Sequence, residues 1–558
     1  MPKKTPASLM PQASLMPTAS LMSSARATFV VPLVAGLLAS AGLAGCTVGP
    51  DYKRPTAASP VAYKELRGWT PGTPADAIDR GPWWSIYDDP VLDGLERRID
   101  ISNETLKASL AAYEQSRALV AEARADYFPT LSTNGGVTRR GPGTGSSGAA
   151  SGLSTSHSGS SSTASYGGHE TSYDLSGSAS WAPDIWGKIR RTVESDVATA
   201  QASAADLANA RLSAQANLAT YYFELRLADE QRRLLDETAA SYARTLDITR
   251  NNYKAGVKTR ADVAAAEAQL EAARASAVAT GINRAKYEHA IAVLIGLPPS
   301  DFSLAEAPGP GFVPAIPPGL PSTLLERRPD VAEAERKTAA ANAQIGVALG
   351  AFYPDITLSA SYGYTAYSFG SLLDTANRAW SLGGSFAETL FDGGERSAAV
   401  KAARAAYDEQ VATYRATVLS AFQQVEDDLA ALRILERQAG MQDQAVAAAK
   451  EAERLALNQY RAGTVDYTAV ITAQQTALGD EQTALTLRQN RLVDSVALVQ
   501  ALGGGWNARH LPNRDAVESD EPADVAAGFP SLAGPTPKVV TPLAGAASAP
   551  PHALTPAP

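Results

Sequence analysis

The chain contains one pattern written twice. Residues 252–256 read Asn-Tyr-Lys-Ala-Gly and residues 459–463 read Gln-Tyr-Arg-Ala-Gly, so Gly256 and Gly463 stand 207 positions apart. Gly187 and Gly393, each closing a strand-like run, are 206 apart. Ala-Asp-Tyr-Phe-Pro at 125–129 is similar to Gly-Ala-Phe-Tyr-Pro at 350–354, with an offset of 225. Repetition at this scale means one supersecondary plan used twice, which fixes the order of elements in both halves together. The offsets agree except across one loop, where the first copy is about 19 residues longer. The surplus falls in a Gly/Ser run over 141–168, the composition of a flexible surface loop.

Each copy predicts a helix, two strands and two long helices. In the first these are 103–126, then 128–138 and 172–183, then 188–254 and 259–296. In the second they are 330–350, then 354–365 and 380–391, then 395–461 and 464–502. Val193, Val197, Ala200, Ala204, Leu207, Ala214, Leu218, Tyr221 and Leu225 follow alternating steps of four and three, with Arg211 in one slot. Tyr407, Val411, Tyr414, Val418, Ala421 and Val425 repeat this 207 residues on. A 3.5-residue period predicts coiled-coil contact between long helices, although a compact, kinked bundle also fits it. A helix over 188–254 would span about 100 Å.

The strands alternate. Ser172, Asp174, Ser176, Ser178 and Ser180 oppose Tyr173, Leu175, Gly177, Ala179 and Trp181. Asp355, Thr357, Ser359 and Ser361 oppose Ile356, Leu358, Ala360, Tyr362 and Tyr364; Trp380, Leu382, Gly384 and Phe386 continue the pattern until Glu388 breaks it. About ten residues with one apolar and one hydroxyl-rich face is what a tilted strand needs to cross a bilayer. A soluble hairpin packed on the helices would alternate in the same way. An apolar leader and the lack of any other run long enough for a spanning helix favour the membrane. Four strands cannot close a transmembrane barrel, and an open edge in lipid leaves backbone groups unpaired. Strands must then be shared between copies of the chain.

That leader is Phe29 to Ala44, preceded by Arg26 and too short for a spanning helix. It ends Leu43-Ala44-Gly45-Cys46, a bacterial lipobox in form, with the chain's single cysteine at the position that would carry lipid. Thr47 follows rather than Asp, which favours the outer membrane. Upstream, Ala-Ser-Leu-Met occurs three times, and Met16 and Met22 offer alternative starts.

Six regions follow: leader and extension (1–45), anchored segment (46–102), first repeat (103–296), a linker with nine prolines (297–329), second repeat (330–506) and a disordered tail with ten prolines (507–558). A net charge of −9 without a basic stripe speaks against nucleic acid, and one cysteine excludes an internal disulfide framework. No P-loop, Ser-His-Asp signature or Gly-rich dinucleotide turn is present, so neither an enzyme nor a cofactor is expected. His157 and His169 fall in the Gly/Ser loop and are expected to be solvated.

Several motifs together resemble a known family. Cys46 leads into Thr-Val-Gly-Pro-Asp-Tyr-Lys-Arg-Pro; Trp83-Trp84 and Tyr87-Asp88-Asp89-Pro90 follow. The second copy opens Leu-Glu-Arg-Arg-Pro-Asp-Val at 325–331 and closes Ala-Leu-Gly-Gly-Gly-Trp at 501–506. Over residues 46–506 the chain resembles outer-membrane efflux lipoproteins of the TolC/OprM type, in the NodT branch. The resemblance implies a fold that is mainly α with membrane β. Three protomers would close a 12-stranded barrel over a long coiled-coil helical barrel in the periplasm. It implies an exit duct for drugs or other small solutes, docked on a periplasmic adaptor and an inner-membrane pump, commonly of the resistance–nodulation–division class. A protein-secretion duct of the same architecture and a periplasm-spanning structural lipoprotein are the alternatives.

The resemblance also directs attention to the helical tip, where Gly256 and Gly463 are the expected hairpin turns. Relatives often close the pore with carboxylates just after the second turn, one of them directly before Ala-Gln. Here that position is Thr472, and Ala469 stands three residues earlier, a departure from the pattern. Asp262, Asp466 and Tyr467 remain as aperture candidates, the two aspartates being equally readable as helix-start residues.

Overall fold

A computed structural model describes residues 47–57, 59–60, 62–65, 82–141, 170–314, 316 and 326–519. Cys46, His157 and His169 lie outside the described residues. A 3-10 turn (Trp83–Tyr87) leads into α1 (Pro90–Ser102), α2 (Glu104–Ala125), β1 (Thr130–Arg140), β2 (Glu170–Trp181), α3 (Lys188–Lys254) and α4 (Arg260–Leu294). The second copy supplies α5 (Pro329–Gly350), β3 (Asp355–Ala366), β4 (Arg378–Ala387), α6 (Glu395–Arg461) and α7 (Tyr467–Ala501). Corresponding helices match in length: 67 residues for α3 and α6, 35 for α4 and α7, 22 for α2 and α5. The glycine at the N-cap of α6 is Gly394, at φ 96°, as Gly187 is at the N-cap of α3, so Gly187 pairs with Gly394 rather than Gly393 and the offset is 207 there too.

The helix ends follow from local chemistry. Asp89 caps α1, accepting from the amides of Val91 and Leu92 at 2.9 and 3.2 Å, with Pro90 at the first helical position. Asn103 caps α2 through the Leu106 amide at 3.0 Å. Most of the heptad residues form the buried stripe that the sequence predicts: Val193, Ala200, Leu218 and Leu225 are fully buried, as are Ala421 and Val425, whereas Tyr221, Tyr407 and Val411 are half-buried. Arg211 holds its slot in that stripe by pairing with Asp100 instead of packing.

The helices form two layers. Near the sheet the order is α2–α3–α5–α6; farther away it is α4–α3–α7–α6. α3 and α6 run through both layers, whereas the helices beside them meet end to end. Asn103 Nδ2 donates to the Leu294 carbonyl at 2.8 Å, which joins the end of α4 to the start of α2. Arg328 Nη1 donates to the Ala501 carbonyl at 3.1 Å, joining α7 to α5. The main core lies around these joints and gathers Trp83, Trp84, Tyr87, Leu92, Tyr222 and Phe223. A second core lies at the far tip.

The strands form one antiparallel sheet in the order β1-β2-β3-β4. Among the described residues, β1 and β4 have no partner on their outer sides. The helical array is open at the same two sides, α2 with α4 and α6, so the protomer is an arc of wall with both edges unsealed.

The expectation of a disordered tail fails for residues 507–519. Asn513 caps a short α8 (Arg514–Glu518) through the Ala516 amide at 2.8 Å. Val517 is buried with Val120, Val193 and Val197. Gln201 Nε2 donates to the Pro512 carbonyl at 3.0 Å, and Arg124 Nη1 to the Glu518 carbonyl at 2.8 Å.

Candidate conduit wall and helical tip

The strand register sorts the sheet's side chains onto two chemically distinct faces. Leu131 pairs with Ala179, Ala179 with Ala360 and Ala360 with Leu382. Because successive residues point to opposite sides, this face also carries Val137, Tyr173, Leu175, Trp181, Ile356, Leu358, Tyr362, Trp380 and Phe386. Most of its apolar groups are exposed among the described residues, with Leu131 81% and Leu382 75% exposed. The opposite face holds Ser132, Asn134, Ser172, Asp174, Ser176, Ser178, Thr357, Ser359, Ser361 and Ser381. Cross-strand hydroxyls pair on it, Ser132 with Ser178 and Ser361 with Ser381, each at 2.8 Å. A face of small hydroxyls suits contact with water; a face of bare Leu, Val and Trp suits lipid. Among the described residues, no helix is long and apolar enough to cross a membrane.

The far tip is built from the α3–α4 and α6–α7 turns. Gly256 and Gly463 follow α3 and α6 at φ 72° and 75°, the left-handed conformation that glycine adopts without a Cβ clash. Thr259 and Asp262 form a reciprocal capping box: Thr259 Oγ1 accepts from the Asp262 amide at 3.3 Å, and Asp262 Oδ2 accepts from the Thr259 amide at 2.9 Å. Asp262 is thereby engaged at the start of α4. Asp466 occupies the corresponding cap of α7, but its side chain makes no capping bond and is 94% exposed. Tyr467, one residue on, is buried, with its ring 5.4 Å from that of Tyr460 and its hydroxyl donating to Gln269 Oε1 at 3.3 Å. Thr472 and Ala469 lie on the exposed face of α7.

Sequence reasoning did not single out Lys258. Its ammonium lies 5.0 Å from the centre of the Tyr460 ring, 3.8 Å from Asp466 Oδ1 and 3.4 Å from the Val465 carbonyl. It thus ties the first hairpin to the second. Gln269 and Gln474 do the same from inside, the amide of the first donating to the second at 3.3 Å. The repeat holds the signal for Lys258: 207 residues on stands Val465, so the cation belongs to one turn only.

The Thr-Val-Gly-Pro-Asp-Tyr run is a strap across the array just below the sheet. Arg191, almost fully buried, donates to the carbonyls of Val48 and Gly49 at 3.2 Å and to Asp51 at 2.9 Å. Asn342 Nδ2 donates to the Pro50 carbonyl at 2.9 Å, and the Tyr52 hydroxyl to Glu335 Oε1 at 2.6 Å. The Val48 amide donates to the Trp186 carbonyl, which places Thr47 where β2 passes into α3. At mid-height a second strap, 304–309, is stitched to the helices. Asp229 accepts from Arg284 Nε at 2.7 Å and the Ala307 amide at 3.2 Å. Glu230 accepts from the Gly309 amide at 3.0 Å and from Arg488.

Among the described residues, no group of three or more His, Cys, Asp or Glu side chains converges to hold a metal ion. The arrangement is a wall segment: hydroxyls on one face, apolar groups on the other, helices below and open edges on both sides.

Known proteins share this arrangement. The probable efflux pump outer membrane protein TtgC of Pseudomonas putida is 30% identical over 468 residues, 83% of this chain and 93% of that protein. The solved outer-membrane channel OprN is 29% identical, with a TM-score of 0.74 over 83% of this chain and all of that one. The open state of the Neisseria gonorrhoeae MtrE outer membrane channel is 28% identical, with a TM-score of 0.71 over 83% and 99%. The outer membrane efflux protein family matches residues 97–297 and 320–504, both copies of the repeat. The chain belongs to the outer membrane efflux protein family, its strands crossing the outer membrane and its helices reaching into the periplasm.

Proposed function

We propose that three copies of this chain close into one channel that serves as a passive outlet for small toxic solutes. The observation that carries this is the coincidence of open edges: sheet and helices are unsealed along the same two sides. Three arcs supply twelve strands, enough to enclose water, whereas eight leave a lumen filled by side chains. The hydroxyl face lines the barrel, and the apolar face meets lipid. Below, the arcs form a helical tunnel whose tip docks on a periplasmic adaptor and an inner-membrane pump of the resistance–nodulation–division class. The pump supplies the energy, and this protein makes and breaks no covalent bonds.

Asp466 and Thr472 are the side chains available to face the tip aperture, because Asp262 is engaged in its capping box and Tyr467 in the core. A ring of three Asp466 carboxylates would draw cations and repel itself, with Lys258 holding each one. Cys46 carries the lipid anchor. Its neighbour Thr47 lies at the base of β2, so acyl chains there reach the inner leaflet without a linker.

Conductance in planar bilayers, combined with the mass of the detergent-solubilised protein, tests the reading. A conducting trimer bearing lipid on Cys46 is expected. A water-soluble monomer without conductance overturns it. Export assays with drug and protein cargoes then separate solute efflux from protein secretion.

A further inference from the structure

The strand residues at the outer rim of the sheet carry charge of a single sign on the lipid side. All helical connections leave from one end, at Thr130, Trp181, Asp355 and Ala387, so Arg140, Glu170, Ala366 and Arg378 mark the end facing out of the cell. Register and alternation place Arg139 on the apolar face with Leu131 and Val137, and Arg378 on that face with Trp380, Leu382 and Phe386. Arg139 is opposite Thr171, and Arg378 is opposite Tyr364. The acid at this end of the strands, Glu170, pairs with Arg140 on the hydroxyl-lined face. No carboxylate lies among the strand residues of the apolar face. Residues 141–169, which join β1 to β2, contain no Asp, Glu, Lys or Arg, and residues 367–377, which join β3 to β4, contain one acid, Asp374, against the two arginines of the rim.

A guanidinium on the lipid face is costly at the bilayer midplane and nearly free at the interface. The rim is the interface, as its aromatic neighbours indicate: Tyr362 and Tyr364 stand edge to face at 5.8 Å, their hydroxyls 3.3 Å apart. Arg139 and Arg378 also sit on the two edge strands. Closing the barrel, the reading on which this inference rests, sets β4 of one copy beside β1 of the next. Each seam then carries two outward guanidinium groups at one height, beside tyrosine hydroxyls.

We propose that these seams bind the phosphate groups of the phosphorylated glycolipid that forms the outer leaflet of the outer membrane. Guanidinium offers phosphate a two-pronged, charge-assisted contact, and the tyrosine hydroxyls suit the sugar ring. The bound lipid bridges two protomers, so it staples the barrel where subunits meet.

The test reconstitutes the full acylated protein in phosphatidylethanolamine vesicles, alone or with bisphosphorylated lipid A, or with the same lipid A after dephosphorylation. The temperature of trimer dissociation and the conductance are both read. Bisphosphorylated lipid A is expected to raise the dissociation temperature by several degrees, and the dephosphorylated form to leave it unchanged. The double variant Arg139→Gln/Arg378→Gln should lose the rise while conducting normally, and Arg139→Lys/Arg378→Lys should keep part of it. Equal protection by the two forms of lipid A, or full protection of the Gln variant, overturns the proposal. A protein that is monomeric and non-conducting in every vesicle instead overturns the channel reading, and this inference falls with it.

Discussion

Gly503 meets the carbonyl of Arg327 so closely that a β-carbon on the glycine would stand 2.2 Å from that oxygen. The first copy has the same contact, with Gly296 against the Ser102 carbonyl at 2.1 Å. The two glycines are 207 residues apart and their partners 225, the same offsets that define the repeat. Both have positive φ, 92° and 69°, so any side chain there meets backbone strain and a clash together. Gly503→Ala and Gly296→Ala should each cost about 2–4 kcal/mol of stability. Gly256 and Gly463 share the conformation but face open space, and alanine there should cost about 1 kcal/mol. Denaturant titration of the four purified variants checks the contrast; similar losses at all four would contradict it.

Glu96 is fully buried on α1, and among the described residues neither carboxylate oxygen has a hydrogen-bond partner. Burial, with the Asp100 charge adding to it, holds the carboxyl well above the usual carboxylate range. Its helix otherwise buries Leu92, Leu95 and Ile99. Glu96→Leu should therefore stabilise the fold, by about 1–3 kcal/mol. A lower denaturation midpoint in the variant would refute this.

Asp428 on α6 gives a pH signature. Burial pushes its carboxyl up to about 7, with Asp494 and Asp427 adding to the shift and Arg328 opposing it. An acid held above its ordinary 3.8 binds its proton more tightly in the folded than in the unfolded state. This contribution to stability is intact below about pH 4 and is lost as the pH rises toward 7. Asp428→Asn should be more stable than the parent at pH 8 and indistinguishable from it at pH 4. Melting curves across that range decide; a constant difference would exclude titration of Asp428 as the cause.

Tyr467 anchors the tip core. Tyr467→Ala removes a buried ring and should cost about 3–5 kcal/mol locally, whereas Tyr467→Phe loses one hydrogen bond, worth about 1 kcal/mol. Hydrogen exchange should accelerate in both tip hairpins of the Ala variant and stay slow near the sheet. Uniform acceleration would mean that the tip is not a separate unit.

Much of the wall was legible in advance because its signals are periodic. The heptads and the glycine turns set α3 and α6 at their observed bounds, and alternation found the two faces of β2 and β3. Tyr467 shows where this runs out. It neighbours Asp466 in sequence, yet one step along a helix turns the side chain by about 100°, enough to exchange solvent for core. Asp262 is readable in the sequence as a helix-start residue, but its reciprocal bonds with Thr259 show only in the structure. The α8 segment is five residues long, too short for any period to show, and it owes its order to Val517 finding a cleft between two helices. The joints at Gly296 and Gly503 are contacts between distant segments, which no local pattern encodes.

Two kinds of rod therefore stand side by side in the array. α3 and α6 cross mid-height unbroken, while α4–α2 and α7–α5 are spliced there through a glycine and a few hydrogen bonds. The largest buried core surrounds both splices, so at mid-height the wall owes its continuity to interlocked side chains and two close glycine contacts, where α3 and α6 owe theirs to unbroken backbone.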